Sequence, residues 1–158
     1  MEIEIRNTQR RIRISCRRIR DIARAAVKLS ILKVACRGGE FPDMELGVLL
    51  VGDRRMMSLN RSYRGKNITT DVLSFPQIGE GKCCSTYAPC PLGDIVICLP
   101  QARRQAAEYG FTFYEELTRL VIHGLLHLLG HDHEKSAYKA KKMRKLEKEI
   151  FEQLCASG

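Results

Sequence analysis

The chain has 158 residues, 44% of them hydrophobic and 28% charged, and a formal net charge of +9 from 27 Lys and Arg against 18 Asp and Glu. Those figures suit one globular domain over residues 1–158 with a single core. They exclude a disordered chain, and no run approaches the ~18 consecutive apolar residues that a membrane-spanning helix needs.

MEIEIRN (1–7) and RIRIS (11–15) place isoleucines at every second position and read as strand or extended pieces. The start has no continuous apolar stretch of the kind a secretory leader carries, so a cytoplasmic protein is expected. Residues 17–36 read as a helix with Ile19, Ile22, Ala23, Ala26 and Val27 on one face, stopped by Gly38 and Gly39. Glu45 to Val51 is a short apolar run that reads as a buried strand. Asp53 suits the N-cap of a brief helix carrying Met56, Met57 and Leu59. Residues 70–76 and 93–99 are two further strands, separated by the Gly-, Pro- and Cys-rich loop GEGKCCSTYAPCP.

Pro100 fits the first turn of a helix that reaches Tyr109 and stops at Gly110. Thr112 and Glu115 then form a T-x-x-E capping box. The run ELTRLVIHGLLHLLG that follows is apolar on nearly all sides, as a buried helix is, and Gly130 stops it. A last helix over 134–154 turns Ala140, Met143, Leu146, Ile150 and Leu154 inward. Together these elements predict an α+β domain, with helices packed on a small mixed sheet.

The basic surplus favours a polyanionic partner without specifying its sequence. Much of it lies in two segments, Arg10 to Arg20 and Lys139 to Lys148, either of which could equally be a solvated helix face. The seven cysteines are odd in number and follow no export signal, so reduced thiols are expected. Cys83, Cys84 and Cys90 lack the paired knuckles of a zinc ribbon.

All four histidines fall in HGLLHLLGHDH, residues 123–133. His123 and His127 stand four apart on a helix, which puts both imidazoles on one face about 6 Å apart along the axis. A turn at Gly130 lets a residue beyond it swing back as a third donor. His131 and His133 compete for that place, and the H-x3-H-x5-H spacing with glycine before the last ligand favours His133. Three protein donors and an open position are the layout of a catalytic zinc site, one ion per chain. Zinc proteases carry a glutamate directly after the first histidine as general base; here that position is Gly124.

The motif HGLLHLLGHDH resembles the signature of the YbeY proteins, bacterial single-strand-specific endoribonucleases of ribosomal RNA maturation and ribosome quality control. LNRSYRGKNITTDVLSFP (59–76), LGDIVICLP (92–100) and the start MEIEIRN are similar to further blocks of that family, so the resemblance covers nearly the whole chain. It implies a zincin-like metal-bearing helix, zinc held by His123, His127 and His133, and a functional role for Arg64. A guanidinium can clamp a phosphate and stabilise charge developing on it. Asp71 and Asp94 read as structural, and His131 stands where an aromatic such as tyrosine is expected.

The resemblance further implies 16S rRNA 3′-end maturation, with single-stranded ribosomal RNA and the small ribosomal subunit as partners and no membrane. Few aromatics are available for stacking (Phe75, Phe111, Phe113 and some tyrosines), so weak sequence preference is expected. Two competing readings are a zincin-like metallopeptidase, which Gly124 disfavours, and a ribosome-associated zinc-binding module without catalysis.

Overall fold

The computed structural model of the chain describes residues 1–34, 43–77, 90–131 and 136–156. In chain order these form β1 (Glu2–Asn7), α1 (Cys16–Val34), β2 (Met44–Val51), α2 (Asp53–Arg64), β3 (Val72–Pro76), β4 (Cys90–Cys98), α3 (Leu99–Tyr109), α4 (Phe113–Leu128) and α5 (Ala137–Ala156). The sheet has the order β1-β2-β4-β3, with β1, β2 and β4 parallel and β3 antiparallel on one edge. It is the mixed sheet of an α+β domain.

Successive residues of β4 point to opposite faces, as strand geometry requires. Ile95 and Ile97 enter the main core with the apolar faces of α1, α3, α4 and α5. Val96 and Cys98 enter a smaller cluster with Val51, Met56 and Leu73, which α2 covers. Helix α2 therefore lies on one face of the sheet and α4 on the other.

Two local expectations change. RIRIS forms no strand. Ile12 is buried, and the side chain of Gln9 accepts from its N–H at 2.8 Å and donates to its carbonyl at 2.9 Å. One amide thus serves both backbone groups of Ile12, and no ladder is needed. Asp53 is the first residue of α2 rather than its cap, which is Gly52. Its carboxylate instead accepts from Arg104 at 2.6 Å, a pairing that holds its pKa below the ordinary value.

The other boundaries fall near their expected places, and the Thr112–Glu115 capping box forms in full. Residues 35–42, with Cys36 and the Gly38–Gly39 stop, lie outside the described residues, as does most of the Cys-rich loop, with Cys83 and Cys84. Cys16, Cys98 and Cys155 are free thiols, but Cys90 is disulfide-bonded, which departs from the expectation of reduced thiols.

Helix α4 is the centre of the helical layer. It packs against α1, α3, α5, β3 and β4. Gly124 permits its approach to the sheet: a Cβ there would stand 2.9–3.1 Å from three atoms of the Ile95 side chain. Overpacking a full core costs about 1–3 kcal/mol, against about 1 kcal/mol of helix propensity that alanine gains over glycine. Gly124→Ala should therefore lower the urea midpoint, with a net loss of up to about 2 kcal/mol. Ile95→Val in the same chain removes one of the crowding atoms. The double variant should lose less than the sum of the two singles, and strict additivity would contradict the crowding.

Candidate active site

Between Glu116 and Leu128 every residue of α4 is buried except Arg119, His123 and His127. These three stand four apart, so they form one stripe along an otherwise enclosed helix. The apolar run dictates most of this outcome: the stripe no neighbour covers carries Arg119 and the two histidines, while the buried Thr118 and Glu116 are satisfied by the Tyr114 carbonyl and Arg119.

The histidines interact with each other and with α5. His123 Nδ1 lies 2.6 Å from Glu147 Oε1. An ionised carboxylate only accepts, so Nδ1 carries a hydrogen, and in the neutral imidazole Nε2 then has the lone pair. His127 Nε2 lies 3.1 Å from that atom, with the ring centroids 4.7 Å apart. Two nitrogens on successive turns thus converge on one point, where they could hold a proton or a cation between them.

The helix ends where the glycine requires. Gly130 has φ of 85°, in the left-handed region. Its N–H donates to the His127 carbonyl at 3.0 Å, and the His131 N–H donates to the Leu126 carbonyl at 2.9 Å. This pair of bonds is a Schellman motif, and it turns the chain out of the helix immediately before 131–133. His133 itself lies outside the described residues. Among the described residues, no group of three or more His, Cys, Asp and Glu is arranged to hold a metal.

Other expected residues fall apart from this pair. Arg64 ends α2 and is exposed. Asp71 is structural as expected: one carboxylate oxygen accepts from the Val72 N–H at 2.7 Å and the other from Gln105 at 3.1 Å. Asp94 accepts from Gln77 at 3.2 Å. In the N-terminal basic segment, Arg18 lies over the Tyr114 ring at 3.8 Å and Arg20 donates to the Ile3 carbonyl at 3.3 Å. Part of that positive charge therefore serves packing rather than a partner.

Sequence reading missed Glu147 and Arg119. Glu147 is one of many charged residues on α5, and only the packing of α5 on α4 singles it out. Arg119 had a visible signal, its i, i+4, i+8 alignment with the two histidines. A cleft of about 610 Å³ adjoins His123 on its Glu147 side, with walls that include Arg119, Arg144, Tyr109 and Phe111. Glu116, buried and paired with Arg119 at 2.7 Å, has its pKa raised by desolvation against the opposing pull of that guanidinium.

Gly124 faces Ile95 and the sheet. The position that bears the general base in zinc proteases is thus occupied here by a packing contact.

A family model described as Endoribonuclease YbeY matches residues 4–155. A relative from Thermodesulfovibrio yellowstonii, called Endoribonuclease YbeY, is 38% identical over 98% of this chain and 98% of its own. Another of that name from Persephonella marina is 43% identical over 85% of this chain and 86% of its own. The solution structure of TM1509 from Thermotoga maritima superposes with a TM-score of 0.59 at 26% identity, covering 99% of this chain and 93% of that one.

Burial lowers the pKa of His131, with a smaller contribution from Lys142. A histidine whose folded pKa is depressed favours folding above its unfolded value, near ~6.5. The unfolded chain binds the extra proton first, so this contribution is lost as the pH falls below that value toward the folded pKa. In chelator, His131→Tyr should flatten the decline in urea stability between neutral pH and about pH 5. An unchanged slope would remove His131 as a source of the pH dependence.

Proposed function

This chain belongs to the endoribonuclease YbeY family and is a hydrolase acting on RNA, and from that premise we propose that it is a zinc-dependent, single-strand-specific endoribonuclease. Its role is 16S rRNA 3′-end maturation and late-stage quality control of the small ribosomal subunit, in the cytoplasm. One zinc ion per chain is held by His123 and His127 of a zincin-like helix together with His133, and Arg64 binds the substrate phosphate.

The convergence of the two Nε2 atoms, with Glu147 on the far side of His123, is the observation that carries the metal reading. Zinc–nitrogen bonds of ~2.0–2.1 Å in a tetrahedron put two ligand nitrogens about 3.3 Å apart. The observed 3.1 Å needs little adjustment to admit the ion. A carboxylate holding the other ring nitrogen is the usual support of a histidine ligand, because it fixes tautomer and ring plane. When bound, zinc supplies a Lewis acid that polarises a phosphoryl oxygen and lowers the pKa of water.

The remaining work belongs to the chain's own groups. Glu147 keeps the proton on Nδ1 of His123, so that Nε2 stays a donor of its lone pair. Gly130 turns the backbone out of the helix before His131. Arg64 is exposed, and no carboxylate among the described residues pairs with it, which suits a guanidinium that takes its anion from the substrate.

Purified protein should cut single-stranded RNA. Chelation, His127→Ala and Arg64→Ala should each slow cleavage by about 100-fold or more. Equal activity in all four samples would assign the cleavage to a contaminant. Glu147→Ala should weaken zinc binding by about 10- to 100-fold in a competition titration. Wild-type zinc affinity in that variant would dissociate Glu147 from the metal.

A further inference from the structure

The cleft on the Glu147 side of His123 is built from three elements. Helix α4 contributes Arg119, one turn before His123. Helix α5 contributes Arg144, one turn before Glu147. The end of α3 and the turn after it contribute Tyr109 and Phe111.

Its acidic groups are all engaged. Glu116 accepts from Arg119, Glu147 from His123, and Asp71 from Val72 and Gln105, while Glu152 lies 3.8 Å from Lys148. The cations are less committed. Arg119 gives only Nη1 to Glu116, and no carboxylate among the described residues pairs with Arg144. The four carboxylates outnumber the three cations of the lining, but each is already engaged, so the donors left for an anion are those of Arg119 and Arg144.

Its aromatic groups add a second requirement. The Arg119 guanidinium lies 4.9 Å from the Phe111 centroid and 5.8 Å from that of Tyr109. Three contacts thus hold its plane before any ligand arrives. Phe111 is braced edge-on by Phe151 at 6.0 Å, whereas Tyr109 is 54% exposed. An exposed ring beside an oriented guanidinium is a stacking platform for an unpaired base. Anion plus planar ring is the chemistry of one nucleotide of a single strand, and 610 Å³ is room enough for it.

We propose that this cleft binds one unpaired nucleotide of the RNA substrate next to the cleavage site, its phosphate on Arg119 and Arg144 and its base on Tyr109 and the Arg119 plane. The inference rests on the ribonuclease reading and adds a subsite to it. It also adds to the aromatics open to stacking: Tyr109 and Phe111 lie either side of Gly110, and Phe151, remote in the chain, joins Phe111 only in the fold.

The test is fluorescence anisotropy of a labelled single-stranded RNA, read in a His127→Ala background so that cleavage plays no part. Tyr109→Ala should weaken binding about fivefold or more. Arg144→Ala should lower the slope of log affinity against log salt by about 0.7, one phosphate contact on a single strand. Arg144→Glu should weaken binding further. Lys28→Ala, an exposed cation outside the cleft, should bind as the parent does. Thermal midpoints must match the parent, and the exposure of both side chains makes this the expected result.

Unchanged affinity and salt slope in the cleft variants would overturn the proposal and leave the cleft to a protein partner. Equal losses on a duplex of the same sequence would overturn it too, since a paired base cannot enter. Failure of the ribonuclease reading would appear differently, as intact RNA after incubation with the unsubstituted protein.

Discussion

The structure depends on how closely α4 can approach the sheet. With no side chain at 124, the helix axis settles against Ile95, and the flanking apolar residues fill the space between α1, α3, α5 and the sheet. Enclosure on most sides leaves a single uncovered stripe, and Arg119, His123 and His127 occupy it. The site is thus a consequence of the packing: Arg119, His123 and His127 are surface residues on a helix that is otherwise core.

Enclosure also fixes the geometry within the stripe. His123 is held between Glu147 on one ring nitrogen and His127 on the other. Because Glu147 comes from α5, the orientation of the first histidine depends on the last helix of the chain. The same helix supplies Arg144 to the neighbouring cleft, so one interface, α4 on α5, shapes both the histidine pair and the groove beside it.

Charge is used unevenly over the molecule. The surplus suggested two basic segments as polyanion contacts, but Arg18 and Arg20 of the first are committed to a tyrosine ring and a backbone carbonyl. Arg104 is likewise committed to Asp53. A guanidinium's availability depends on which carboxylates and rings the fold brings to it, and composition does not record that.

Local rules carried most of the elements. The capping box, the glycine stops at Gly110 and Gly130 and the apolar run of α4 each act within a few residues, so they were legible in the chain and the structure has them. RIRIS misled because alternation indicates a strand only where a neighbouring strand is present, and the Gln9 side chain satisfied Ile12 first. Asp53 misled because an arginine about fifty residues away competed for its carboxylate. By itself the sequence determined the α+β class, the helix bearing two histidines and the family. The tertiary structure decided the rest: Glu147 behind His123, Arg144 on one cleft with Arg119, and Phe151 against Phe111. Those relations join residues remote in the chain, and only packing sets the distances between them.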